Sequence, residues 1–235
     1  MSRKTLVDTV ADHVLDQIID GRYAAGDALP AEADIAAEAG VSRLTVRESL
    51  KSLRAKNVVR VTRGRGTYVN PPEVWTSLDA TVRAAERSQG KGATSTQLLE
   101  VRRMIETGAS ALAATRRTPA ELRALAEQIE RMRSAAAEND VDTFVAADIA
   151  YHAIILRASG NLLLPALYEP LGRLLAEGRR ETSAIPAIQQ HAIRMHEKIL
   201  DALATGDGET ARAAMDEHMD QTAADLGRYV LGISA

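Results

Sequence analysis

Apolar residues recur every three to four positions along most of this 235-residue chain, and the period changes only once. Leu6, Val10, Val14 and Ile18 form the first stripe, closed by Gly21, so a helix is predicted over residues 5–21. The turn-rich "YAAGDALP" ends at Pro30, and a short helix follows at about 31–39 and stops at Gly40. Ser42 is placed to cap a third helix running to about Lys56. There the period shortens to two. "VVRVT" and "GTYVN" are β-branched runs joined by "RGRG", a hairpin signature.

Beyond the hairpin, "NPPEVWTSLDATVRAAERSQGKGATST" opens on Pro-Pro and closes in small polar residues. It reads as a linker with one short helix around Trp75–Ala85, and Trp75 as packing against a domain. Helical spacing resumes at about 96–115, 119–138, 140–158, 161–180, 185–205 and 207–231, with Gly160, Pro186 and "TGDG" as breaks. The fold class expected is mainly α: a winged helix-turn-helix over 1–70 with a β-hairpin wing, a linker over 71–95, and an antiparallel helical bundle over 96–231.

Composition narrows the setting. Aromatic residues are 3% of the chain while hydrophobic residues make up 46%, so Ala and Leu carry the core, which favours helices. There is no cysteine, which excludes disulfides and thiolate metal sites and suits a reducing cytoplasm. Acids interrupt the apolar positions of the N-terminus, unlike a signal peptide, and no apolar run is long enough for a membrane span. A cytoplasmic protein without membrane contact is expected.

Net charge is −3, yet residues 43–65 carry eight Lys or Arg and one acid, Glu48. On the predicted motif this local excess becomes a DNA-reading surface. The second helix of a helix-turn-helix presents its N-terminal residues to base edges in the major groove. Arg43 and Arg47 share a face there, and an Arg fork matches guanine O6 and N7. Thr45 offers a hydroxyl or a methyl, Lys51 reaches towards phosphate, and Val46, Leu50 and Leu53 face the core. At the hairpin tip Arg63 and Arg65 flank Gly64, where the backbone can approach a groove.

Polar residues interrupt the apolar stripes of the C-terminal half. Asp148 and His152 lie on the stripe Phe144–Asp148–Tyr151–His152–Ile155, His196 on Ala192–His196–Ile199–Leu203, and His218 on Ala211–Met215–His218–Thr222–Leu226. Buried groups of this kind must satisfy one another. Three imidazoles and a carboxylate suit a divalent metal: zinc, and also nickel, manganese or iron. Core histidines bonded to backbone carbonyls or carboxylates are the alternative. His13 and His191 fall off the stripes. Arg102 points inward on Leu98–Arg102–Ile105–Ala109–Leu112, as a clamp for a carboxylate or as an ion pair with Glu106.

"GDALPAEADIAAEAGVSRLTVRESLKSLRAKNVVRVTRGRGTYV" resembles the DNA-binding domain of GntR-type bacterial regulators. The family often has Arg after "PAE" or "PSE", contributing to operator contact; here the position is Ala33, so operator preference or affinity is expected to differ. "LLEVRRMIETGASALAA", "DIAYHAIILRASGN", "HEKILDALATGD" and "ARAAMDEHM" resemble the FCD ligand-binding domain of the FadR subfamily. In its metal-binding branch one Asp and three His hold a divalent metal, and those positions match Asp148, His152, His196 and His218. Arg102 matches an Arg that helps bind acidic effectors. The branch binding long-chain acyl-CoA lacks this set.

The resemblance implies a homodimeric repressor of transcription that holds a short palindromic double-stranded operator and answers to a small carboxylate, a sugar acid or organic acid. No catalytic residue is expected. A metal-dependent hydrolase would need a second acid beside the metal, and none stands on the buried stripes, since Glu197 and Glu217 lie on other faces. A purely structural helical dimerisation module is the remaining alternative.

Overall fold

The computed structural model describes residues 4–230. The expected limits at residues 1 and 231 lie outside them. The chain divides into two compact units, Met1–Thr94 and Ser95–Ala235.

The first unit holds α1 (Leu6–Ile19), α2 (Glu32–Ala39), α3 (Arg43–Ala55), the antiparallel pair β1 (Val59–Thr62) and β2 (Gly66–Val69), and α4 (Leu78–Gln89). Local chemistry sets the helix ends. Thr5 and Asp8 form a reciprocal capping box on α1, and Ser42 accepts from the Thr45 amide at the start of α3. Gly40 ends α2 in the left-handed conformation that glycine adopts without strain. Val10, Val14 and Leu15 of α1 pack with Val46, Leu50 and Leu53 of α3 and with Val58, Val59 and Val69 of the hairpin. The buried Ser49 hydroxyl donates to Val7 O at 2.8 Å, fastening α3 to α1.

The stretch read as a linker contains more helix than its composition suggests. Pro72–Val74 form a 3-10 turn, and α4 runs from Leu78 to Gln89 rather than around Trp75–Ala85. Ser77 supplies the N-cap, a start signal stronger than the preceding Trp75. Trp75 is buried in the core of this unit, as expected, and its indole N–H donates to Asn70 O at 3.0 Å.

Six further helices follow: α5 (Lys91–Arg116), α6 (Pro119–Glu138), α7 (Val141–Ala158), α8 (Leu163–Ser183), α9 (Pro186–Thr205) and α10 (Gly208–Asp225), the last continued by a π turn, Leu226–Val230. α6 packs on α7 and α9, α7 on α8, and α9 on α10. Leu125, Met132, Phe144, Tyr151, Ile155, Ile199, Leu203, Met215 and Met219 are fully buried between them. Gly208 opens α10 against α5, where a β-carbon would meet Ala111 O at 2.9 Å. Among the described residues no helix is long and apolar enough to cross a membrane.

Candidate functional site

In the first unit α3 exposes Arg43, Arg47 and Lys51 and leaves Thr45 half-buried. Three of these side chains already have partners. Arg47 Nη2 and Nε lie 2.9 and 3.1 Å from Glu32 Oε2 at the start of α2, and the Thr45 hydroxyl sits 2.8 Å from Ser42 Oγ within the helix cap. Lys51 makes a looser contact with Glu48 at 3.4 Å. Exposed pairs of this kind bind weakly and yield to a better anion. Arg60 is bound to the fold instead, donating to Asn70 Oδ1 at 2.8 Å and Val69 O at 3.2 Å.

Arg63, Gly64 and Arg65 stand exposed at the hairpin tip. Gly64 and Gly66 have φ of 75° and 117°, and the Arg65 amide closes the turn on Thr62 O at 2.9 Å. The structure adds Leu44, 67% exposed among these cations on a helix whose other leucines are buried.

In the second unit, five helices direct ionisable side chains into one buried cluster. His152 of α7, His196 of α9 and His218 of α10 each offer a ring nitrogen within 4.8 Å of the others. The Nε2 atoms of His152 and His196 are 3.2 Å apart. Asp148 Oδ1 lies 3.4 Å from His196 Nε2 and 3.7 Å from His152 Nε2, while its other oxygen pairs with Arg179 of α8. Arg102 of α5 places Nη2 2.8 Å from His152 Nε2 and 3.4 Å from His218 Nε2. All five residues singled out for this half therefore meet; Arg102 points inward, and of its two readings the ion pair is observed, its Nε donating to Glu106 at 2.6 Å.

Glu106 corrects the expectation that no second acid accompanies the histidines. It is 1% exposed. Its Oε1 accepts from Arg102 Nε and, at 2.5 Å, from the Tyr168 hydroxyl; its Oε2 lies 2.5 Å from His152 Nδ1 without hydrogen-bond alignment. Arg179 Nη2 stands 4.0 Å from Oε1. Glu106 is one turn after Arg102 on a face already identified as inward. Tyr168, Leu171, Leu175 and Arg179 repeat at helical spacing on α8, a signal that would have found the last. Glu197 and Glu217 pair with Arg133 and Lys198 outside the cluster. His13 contacts Gln17, and His191 contacts Asp225 at 2.9 Å.

The electrostatics favour neutral imidazoles. Burial lowers the pKa of all three histidines, strongly for His196 and His218, where neighbouring rings and Arg102 lower it further; at His152 the Glu106 carboxylate opposes the shift and Arg102 adds to it. Burial also opposes ionisation of Glu106, but Arg102, His152 and Arg179 outweigh it and hold the carboxyl well below its ordinary range. For Arg102, burial is outweighed by Glu106 and Tyr168, which raise its pKa. Burial and the Arg102 charge press Arg179 down to about 9, still protonated at neutral pH. The donor set fits a divalent cation. Neutral imidazoles are the ligating form, and two Nε2 lone pairs 3.2 Å apart repel unless a proton or cation lies between them.

Residues 6–69 match the profile of bacterial regulatory proteins of the gntR family, and residues 97–221 match that of the FCD domain. The HTH-type transcriptional regulator LutR of Bacillus subtilis is 34% identical over 90% of this chain and 97% of its own length. The galactonate operon transcriptional repressor of Escherichia coli is 31% identical, covering 84% of this chain and 86% of its own. Among solved structures, Lar of Listeria monocytogenes aligns over 97% of this chain and all of its own with a TM-score of 0.66 at 19% identity, a likeness of fold.

Proposed function

From the premise that this chain belongs to the gntR family of bacterial transcription regulators and carries an FCD domain, we propose that it is a metal-containing repressor released by a small carboxylate. The observation that carries the reading is the convergence of three neutral imidazoles, Asp148 and a buried guanidinium at one point of the helical bundle. The family is one of DNA-binding regulators, not enzymes.

A winged domain over residues 1–70 reads the operator. Arg43 and Arg47 address guanine edges, Leu44 offers an apolar contact to a thymine methyl, Thr45 and Lys51 meet backbone or base, and Arg63, Gly64 and Arg65 approach a flanking groove. Two such domains in a cytoplasmic homodimer hold the half-sites of a short palindrome. Ala33 sets this operator preference apart from that of relatives with Arg there.

The bundle over 96–231 is the sensor. His152, His196, His218 and Asp148 would hold the metal, most simply zinc, with nickel, manganese or iron as substitutes. The metal, when bound, supplies a Lewis acid for a carboxylate or hydroxyl oxygen. Arg102 neutralises and orients the carboxylate. One relative is named for a galactonate operon, and galactonate is a sugar acid, which supports that class of effector. A cavity of about 40 Å³ beside His218, bordered by Thr222 and Asp225, has room for little more than a water. A sugar acid entering there has to move side chains, and that movement would change the relative population of DNA-binding states.

The pairing of Arg102 with Glu106 and of Arg179 with Asp148 favours a second reading, a bundle whose buried polar groups are purely structural. Thermal shift of protein purified without chelator or His-tag, against sugar acids and small organic acids, separates the two. The sensor model expects bound divalent metal and stabilisation by an acid that disappears after chelation. Metal-free protein indifferent to every acid would establish the structural module.

A further inference from the structure

The two oxygens of Glu106 serve different partners. Oε1 holds Arg102 Nε and the Tyr168 hydroxyl, and Oε2 faces His152 Nδ1 at 2.5 Å. His152 Nε2 points the other way, to His196 Nε2 at 3.2 Å and Arg102 Nη2 at 2.8 Å. An imidazole presents one lone pair and one N–H, and the partner of one nitrogen decides which the other carries. A carboxylate accepts and cannot donate, and a guanidinium donates and cannot accept, so Glu106 Oε2 beside Nδ1 and Arg102 Nη2 beside Nε2 both favour the tautomer with the proton on Nδ1 and the Nε2 lone pair facing the cluster. Nδ1 of all three histidines lacks an aligned hydrogen-bond partner, but among the described residues only that of His152 has a carboxylate oxygen beside it, Glu106 Oε2 at 2.5 Å. Among the described residues His152 is thus the imidazole of the three with an acid placed to bias its tautomer.

We infer that Glu106 is a positioning residue that fixes the His152 imidazole for metal ligation while holding Arg102 beside it. The inference rests on the metal-sensor reading and extends it. One carboxylate then joins the metal ligand to the effector clamp. An incoming carboxylate that draws Arg102 away relieves the Oε1 side of Glu106 and leaves its charge more fully available to His152. The sensor's two ligands thus communicate through a side chain that need not touch either.

The test uses the full-length protein and zinc alone. Glu106→Gln leaves Arg102 buried without its counter-ion and risks misfolding, so Arg102→Gln is compared with Arg102→Gln/Glu106→Gln. Nitrogen NMR of 15N-labelled histidine reads the His152 tautomer in metal-free protein, and competition with a chromophoric chelator reads zinc affinity. Arg102→Gln should keep a single Nδ1–H tautomer and bind zinc. The double variant should show mixed tautomers and a zinc affinity about 10–100-fold weaker than Arg102→Gln. An unchanged tautomer and affinity in the double variant would overturn the role of Glu106 alone. Failure of the wild-type protein to bind zinc, nickel, manganese or iron would instead overturn the metal-sensor reading, and the positioning role with it.

Discussion

The Tyr151 hydroxyl donates to the carbonyl of His196 at 2.8 Å, tying α7 to α9 beside the imidazoles each helix contributes. The two rings also pack at 4.4 Å between centroids. Burial raises the phenol pKa well above its ordinary value, so the donor stays protonated. Tyr151→Phe should keep the ring contact, lose the bond, and reduce stability by about 1 kcal/mol in urea denaturation. An unchanged midpoint would mean that the bond contributes nothing net.

Arg47→Ala tests the reading helix. It should weaken binding to an operator selected from random DNA by about 1–3 kcal/mol and relax preference at one position. The lost pair with Glu32 is solvent-exposed, so the melting temperature should barely change. Unchanged operator affinity in gel shift would remove Arg47 from the interface.

The buried histidines predict an acid-sensitive fold. Their folded pKa values lie below the unfolded value of about 6.5, so below that pH the unfolded chain binds more protons than the native one. Their contribution to stability is fully present above about pH 6.5 and declines as pH falls from there through their folded values. Each can contribute a slope of up to about 1.4 kcal/mol per pH unit. Chelated protein should therefore lose stability steeply between pH 6.5 and 5, with proton uptake on unfolding. A flat melting temperature over that interval would show that the rings are already charged in the native state.

Gly208→Ala places a methyl group against Ala111 O, a backbone atom that cannot rotate away. Separation of α10 from α5 should cost about 1–3 kcal/mol. Calorimetry would check it, and full stability would mean that the start of α10 can shift freely.

Much of this was legible in the sequence, for reasons visible residue by residue. Spacing of three and four placed Asp148, His152, His196, His218 and Arg102 inward because each sits among apolar residues that must be buried. Glu106 was legible as an inward partner of Arg102, but its second place, beside His152, depends on how α5 packs against α7, which spacing along one helix does not give. Arg179 and Arg180 stand in the polar run "EGRRET", where burial of one and exposure of the other depends on how α8 rotates against α7. The residues from 71 to 95 looked loose because Pro, Gly and Ser dominate their ends, while Ser77 and the buried Ala80 organise the middle into α4.

The bundle cluster contains two guanidiniums and two carboxylates around uncharged rings, a balance of zero in a place nearly closed to water. A divalent cation entering alone would leave that balance at plus two, and an organic anion entering alone at minus one. On charge alone, each ion would make the other easier to admit. On the proposed sensor reading the cluster would act as a coincidence detector, responding most strongly when both ions are present together.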